Sequence, residues 1–398
     1  MYNIAQHYEN IYYHLKTIIA YPRVAYLHPF GSTQPENIEI IRDDTDPPDQ
    51  QVPPKRWGPL FIFFDQEPLN FVYNKPFFDF ITQNRGPFVL VNTERDSVEK
   101  DRICKQYKMA SIDYFFHIFA AHDWYRGHQF TPNLILPNER TLKKTYITFN
   151  RLTSNERVYR SLFINELYKA NILDSGHVSF SKNCPDGGAF DTNLLAGITN
   201  QNIDPDLAKE AIDNINLLPE LRIDFENQDI PNQSMILSPM DKLMESFIFV
   251  VTETCYWQTK THLTEKIFKP IVLRMPFVLV GCAYNLEYLR SYGFKTFSDF
   301  WDESYDTIED PILRMQAVTE ILKDIATMSP EQQQAMLRDM CPILEHNYQL
   351  FNSPNFLQKE WEHLTGSLTD ICQHYQYIPP YTIDLNTGQS IPIPVQNQ

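Results

Sequence analysis

Short apolar runs punctuate the chain, each closed by polar residues. GPLFIFFDQEPLN (58–70) is an apolar strand of about five residues that ends in acids and a proline. GPFVLVNTERDS (86–97) repeats that plan, and FFDFITQN (77–84) between them reads as a short helix. Strand, helix, strand with polar residues at the strand ends is the grammar of a parallel α/β sheet, where sites form beyond the strand C-termini. TYITFNR (145–151) opens a second such unit. NERVYRSLFINELYKANIL (155–173) follows as an amphipathic helix, with Leu162, Leu167 and Ile172 near helical spacing. FIFVVTET (247–254) and PFVLVG (276–281) are further strands, joined through LTEKIFKPIVLR (263–274), a short helix.

Between these runs the pattern is less regular. A Tyr-rich helical stretch and the apolar run VAYLHPF (24–30) lead into an acidic, Pro-rich segment, Glu36 to Pro54, read as a loop. Residues 112–130 look helical and aromatic, and TPNLILPNERTLKK (131–144) carries the turn formers of a domain junction. Residues 181–240 read as loops and short helices, residues 293–375 as mainly helical, and the last 23 as extended. The expected organisation is an N-terminal α/β domain over 1–140, a second over 141–345, and a helix with an extended tail over 346–398.

Composition narrows the function classes. The 398 residues are 43% hydrophobic and 21% charged, which permits a large buried core and excludes wholesale disorder. Apart from Gly187 and Gly188 the 12 glycines are scattered, so GxGxxG and GxxxxGK[ST] phosphate loops are both lacking. Any phosphate must be held by Arg, Lys and helix N-termini. A net charge of −16 argues against a protein built as a whole to bind nucleic acid or anionic membrane. No run of roughly 18 apolar residues suggests a membrane span. The N-terminus lacks the pattern of a secretory signal. The six cysteines show no CxxC and read as reduced thiols, so the expected compartment is the cytoplasm.

Candidate chemistry concentrates in residues 251–281, VTETCYWQTKTHLTEKIFKPIVLRMPFVLVG. A strand leads to Glu253, and Thr264, Glu265 and Lys266 open the following helix. That places them at one sheet edge, where Lys266 and the backbone N–H groups suit a diphosphate and Glu265 suits ribose hydroxyls. An ordinary helix start with a threonine cap gives the same pattern. Pro270 removes an N–H and fixes the start of the helix or kinks it.

This block resembles the donor-binding signature of the fucosyltransferase family, in which a strand ending in Phe-Glu-Asn-Ser precedes Thr-Glu-Lys and a strand of the type Val-Pro-Val-Val-x-Gly. Here Thr254 replaces the Asn. TYITFNRLTSNERVYRSLFINEL is similar to that family's entry into its donor domain: Asn150 stands for the loop Asn and Arg160 for the pyrophosphate Arg, with Arg151 and Arg157 as competitors. FFDQEPLN and VNTERDS resemble the family's N-terminal strand ends, which implies that Glu67 acts as the base, with Asp65 beside it. The stretches NR…R, TEK and GFKTFSDFWDES also resemble hypothetical glycosyltransferases of tailed phages, in which case the compartment is host cytoplasm. The resemblance implies two facing Rossmann-like domains of GT-B type with C-terminal helices. It also implies an inverting, metal-independent transfer from a nucleotide sugar, a co-substrate rather than a cofactor, with Glu253 holding the sugar. The acceptor is a glycan or small hydroxylated molecule, or alternatively hydroxymethylated DNA, since residues 139–160 carry six Lys/Arg against two Glu. A non-catalytic carbohydrate-binding or virion-associated protein is the different-class alternative.

Other patterns point to metals only weakly. Asp44-Thr45-Asp46 and Asp204-Pro205-Asp206 match a short DxD. His117, His122 and His128, near Asp113 and Asp123, lack the i, i+4 spacing of a helical zinc pair. His28 precedes a Gly turn, where a structural role or a place on the acceptor side both fit.

Overall fold

The computed structural model describes residues 3–19, 22–27, 38–41, 58–84, 86–125, 134–185, 187–223, 237–374, 381–383 and 390–392. The chain forms two compact units, Met1–Phe116 with Leu357–Gln398, and His117–Phe356. Both are mixed α/β units with mainly parallel sheets, an architecture compatible with two Rossmann-like domains.

The first sheet contains β1 (Arg23–Leu27), β2 (Ile38–Ile41), β3 (Leu60–Phe64), β4 (Phe88–Asn92) and β5 (Ala110–Asp113), in the order β2-β1-β3-β4-β5. All neighbours are parallel except β1 and β2, which pair antiparallel with Ala25 opposite Ile40. β3 is buried along its whole length, as a central parallel strand covered on both faces must be. Leu60, Ile62 and Phe64 join a core with Phe77, Phe78 and Ile81 of helix α2 (Phe71–Ile81). The alternate residue Phe63 faces Tyr8 of helix α1 (His7–Lys16) at 5.4 Å between ring centroids. Helix α3 (Val98–Tyr107) starts from Ser97, whose side chain caps the Lys100 N–H.

In the second unit, β6 (Lys144–Asn150), β7 (Gly176–Phe180), β8 (Ser246–Thr252) and β9 (Phe277–Val280) are all parallel, in the order β7-β6-β8-β9. Its helices are α4 (Phe116–Tyr125), α5 (Tyr159–Lys169), α6 (Phe190–Asn200), α7 (Pro205–Leu217), α8 (Met240–Met244), α9 (Phe268–Val272), α10 (Asn285–Ser291), α11 (Pro311–Ala326) and α12 (Pro330–Asn352). Since β6 has β7 on one side and β8 on the other, the strand order reverses there. In an open parallel sheet the crevice beyond the strand C-termini at such a switch point is where ligands bind. Gly176 is required at the start of β7: a Cβ there would sit 2.3 Å from the Tyr146 ring.

The last helix, α13 (Pro354–His374), returns to the first unit from Leu357 onward. Glu360 accepts from the Phe115 N–H at 2.6 Å, and His363 Nε2 lies 3.0 Å from the Asp113 carbonyl. Beyond it β10 (Tyr381–Ile383) and β11 (Ser390–Pro392) pair antiparallel. Among the described residues no helix is long and apolar enough to cross a membrane.

Several local expectations need correction. Ile38–Ile41, inside the segment read as a loop, is strand β2, and Ile112 belongs to β5 rather than to a helix. α5 ends at Lys169, before Ile172, and buries polar Arg160, Ser161 and Asn165 with its apolar residues, so it is not simply amphipathic. α6 and α7 give residues 190–217 more regular structure than loops and short helices.

Candidate functional site

Two chain segments meet at the β6/β8 switch point. From the first turn of α5, Arg160 reaches back: its Nη1 donates to the Leu152 carbonyl at 3.1 Å, and Nη2 to the carbonyls of Thr252 at 2.8 Å and Glu253 at 3.2 Å. Only 4% of the residue is exposed. Removing a guanidinium from water is costly unless polar groups receive it, and here three carbonyls do. Burial still lowers its pKa, and neighbouring Arg157 adds to that. Tyr159 donates to the same Glu253 carbonyl at 2.6 Å, and Thr252 Oγ1 to the Phe149 carbonyl at 3.0 Å, so the ends of β6 and β8 are laced together.

Beyond β8, Glu253 is fully buried and closes the loop to the Thr-Glu-Lys turn. Its carboxylate accepts from Thr264 N–H at 3.2 Å, Thr264 Oγ1 at 2.5 Å and Thr254 N–H at 3.3 Å. Thr264 is the cap of the 3₁₀ turn Glu265–Ile267, which runs directly into α9. Pro270 is the third residue of α9 and is buried. Gly281, at the end of β9, allows the close approach: a Cβ there would meet Asn285 Nδ2 at 3.0 Å and Glu253 Cβ at 3.5 Å.

The Lys266 ammonium is set by three acceptors, Glu265 Oε1 at 3.0 Å, Thr264 Oγ1 at 3.1 Å and Thr254 Oγ1 at 3.3 Å. Its side chain remains 25% exposed, whereas that of Glu265 is 7% exposed. Burial alone would raise the Glu265 pKa. The Lys266 charge and His117, whose Nδ1 lies 3.2 Å from Oε2, outweigh it and hold the carboxyl well below its usual range. Edge-on to His117, at 5.7 Å, stands His262, fully buried. Burial first, then the charges of His117, Lys260 and Lys266, keep its pKa well below the usual value. Asn285 fixes its backbone through a donated and an accepted bond, 2.9 and 3.1 Å.

The structure therefore gathers Asn150, Arg151, Arg157, Arg160, Glu253, Thr264, Glu265 and Lys266 at one edge of one sheet. It also sorts them. Arg160 and Glu253 are engaged by backbone and turn groups and act as the frame. Lys266, Arg151 and Arg157 retain exposure. Among the described residues the buried Asn150 Oδ1, Thr153 Oγ1 and Ser154 Oγ of the β6–α5 turn have no hydrogen-bond partner. A cation-rich turn with open hydroxyl valences suits an oxyanion ligand. His117, His262, Lys260 and Asn285 were not assigned to this site from sequence, because burial around a shared carboxylate leaves no mark in spacing.

In the first unit Asp65 and Glu67 follow β3 but differ in surroundings. Asp65 is 1% exposed and accepts from Tyr8 OH at 2.8 Å and from Tyr114 OH, which His7 Nε2 contacts at 2.8 Å. Burial draws the His7 pKa down to about 3, so its ring is neutral. Glu67 is exposed. The TERDS segment also folds locally: buried Glu94 accepts from Leu69 N–H at 2.8 Å and from Ser97 Oγ, and Glu99 takes the Phe71 N–H.

The remaining candidates separate as well. Asp204 caps α7, accepting from Asp206 and Leu207 N–H at 2.9 and 3.0 Å, so that DxD is a helix start. Asp44 and Asp46, His28 and His128 lie outside the described residues. No group of three or more metal-ligating side chains occurs among the described residues. The basic segment 139–160 is not one patch. Arg140 is buried against the Ile135 and Leu273 carbonyls, and Lys143 pairs with Glu245 at 2.8 Å near the start of β6. Arg151 and Arg157 follow its far end, roughly 20 Å away along the strand. A recess of about 200 Å³ beside Lys143, Lys144 and Gln333 lies at the β6 N-terminal edge, away from the chemistry. Comparison with protein families and with curated proteins finds no match to this chain.

Proposed function

We propose that the chain is an inverting, metal-independent glycosyltransferase, moving a sugar from a nucleotide-sugar donor to a hydroxyl of a glycan or small hydroxylated molecule. The observation that carries this reading is the convergence, at the β6/β8 switch point, of the Arg-bearing turn and the Thr-Glu-Lys turn through Arg160, Glu253 and Thr264. Lys266 and the half-buried Arg151 and Arg157 would face the donor diphosphate. Arg160 and Glu253 hold the two turns in register, and Glu265 orients Lys266.

In the proposed step the acceptor oxygen attacks the anomeric carbon as the bond to the diphosphate breaks. The acceptor proton passes to the Glu67 carboxylate, and the diphosphate leaves with the bond's electron pair, its charge met by Lys266. The division of the 139–160 basic residues between opposite ends of β6, with Arg140 and Arg160 buried, favours a saccharide or small acceptor over duplex DNA, which needs a continuous stripe of phosphate contacts.

A panel of nucleotide sugars tested for thermal stabilisation decides the donor. A ligand at 100 times its dissociation constant adds about 2.7 kcal/mol of apparent stability. No stabilisation by any nucleotide sugar or nucleoside diphosphate would overturn the reading. Turnover abolished by EDTA and restored by Mn²⁺ or Mg²⁺ would overturn its metal-independent part.

A further inference from the structure

The loop that Glu253 closes presents one more feature, Trp257. Within Thr254–Leu263, Cys255, Tyr256, Lys260, Thr261 and His262 are buried, and the part that reaches solvent is Trp257, Gln258 and Thr259. Because the Glu253–Thr264 contacts tie the two ends together, this tip stands over the same C-terminal edge as Lys266.

Trp257 is backed by a rigid aromatic wall. Its ring meets Tyr256 edge-on at 5.7 Å and 88°. Tyr256 in turn stacks on Tyr159 at 4.2 Å and 15°, lies under the Arg314 guanidinium at 4.7 Å, and donates to the Pro311 carbonyl at 2.5 Å. Trp257 thus combines a supported ring, partial exposure, and an indole Nε1 that is buried with no hydrogen-bond partner among the described residues. A buried donor without an acceptor is unfavourable, and a ligand oxygen or nitrogen would relieve it. Trp301 shares the unpaired Nε1 but is buried and packed against Phe297 at 5.2 Å, and Trp124 lies in helix α4, so exposure of a supported ring sets Trp257 apart.

We propose that Trp257 is the stacking platform for the nucleobase of the donor, with Gln258 and Thr259 beside it to meet the base edge. The inference rests on the donor reading above and adds to it the residue that recognises the nucleoside. Flat aromatic surfaces suit a base because every base offers a π-face, and truncating such a platform typically weakens binding about tenfold or more.

The test compares inorganic pyrophosphate with UDP and GDP on the full chain, by calorimetry and by tryptophan fluorescence. Trp257→Ala is expected to weaken nucleoside diphosphate binding at least tenfold and leave pyrophosphate affinity within twofold. Trp257→Phe, which keeps a ring, retains most of the affinity and loses the fluorescence quenching that the wild type shows on binding. Trp257→Leu replaces the alanine variant should that one not fold. Equal loss for pyrophosphate and nucleotide would show that the residue merely shapes the loop, and unchanged nucleotide affinity would place the base elsewhere. Either result overturns the proposal while the donor site stands. A wild type that binds neither pyrophosphate nor nucleotide removes the donor reading and this inference with it.

Discussion

The C-terminal edges of the two sheets are assembled from the same strand–turn–helix units but framed differently, the first by carboxylates and the second by buried guanidinium groups together with the Glu253 carboxylate. At the first edge the framing groups are carboxylates that receive donors: Asp65 takes two phenols, Glu94 takes the Leu69 N–H, and Glu99 takes the Phe71 N–H. At the second edge buried guanidinium groups supply donors to carbonyls, Arg160 to Thr252 and Glu253, and Arg314 to Gly281, Tyr256 and Ile308. The groups left with exposure follow suit, Glu67 at the first edge and Lys266 with Arg151 and Arg157 at the second. One edge is thereby suited to accept a proton and the other to hold an anion.

The contrast breaks most visibly at Asp65. Asp65→Ala removes the charged acceptor shared by two buried phenols, each such bond being worth about 1.5–3 kcal/mol, so a loss of about 4 kcal/mol is expected in the first unit. Urea unfolding followed alongside nucleotide binding checks it: the binding should persist, and a loss below about 1 kcal/mol would make Asp65 incidental to the frame. Glu67→Gln keeps shape and removes the proposed base. Turnover should fall about 10²-fold or more with donor affinity intact; unchanged rates would move the base elsewhere, with Asp65 and His28 the next candidates.

Acid sharpens the comparison further. The folded His7 pKa of about 3 lies below the roughly 6.5 of the unfolded chain, so the unfolded state binds the proton first. The contribution is whole above pH 6.5 and declines as pH falls toward 3, reaching a loss of about 2 kcal/mol at pH 5. His7→Gln keeps an N–H for Tyr114 without titrating, and melting curves at pH 7 and 5 should show that variant losing correspondingly less. The smallest effect belongs to Lys266→Ala. Its partly exposed side chain is dispensable for folding, and nucleoside diphosphate affinity should drop about tenfold, or about 1.4 kcal/mol by calorimetry. An unaltered affinity would leave the anion to the arginines.

Legibility of the fold followed burial. β3, β4, β8 and β9 are nearly continuous apolar runs because both faces are covered, and their positions can be read directly, whereas β6 interleaves Tyr146, Ile147 and Phe149 with Thr145, Thr148 and Asn150. Ala110–Asp113 and Gly176–Phe180 are edge strands that mix polar with apolar residues, and Ile38–Ile41 is a four-residue strand set in an acidic, Pro-rich stretch, so the same pattern rule passes over them. In the site, the Thr-Glu-Lys turn and the Arg-bearing turn were recognisable from residue type. The work of each residue was not. Whether a carboxylate points at a ligand or at the threonine eleven positions on depends on the loop between them, and the Glu253–Thr264 contact exists only once that loop closes. Arg160 is the parallel case: an arginine in a charged cluster reads as exposed, yet three carbonyls from two strand ends make burial tolerable.

The return of α13 to the first unit bears on how the protein is made. During synthesis the first sheet leaves the ribosome early, but Glu360, which receives the Phe115 N–H, and His363, which contacts Asp113, follow only after the whole second unit has been translated. At typical elongation rates that interval is on the order of tens of seconds. For that time the nascent first sheet lacks the helix that covers the end of β5, and the second unit is the one able to complete its fold without waiting.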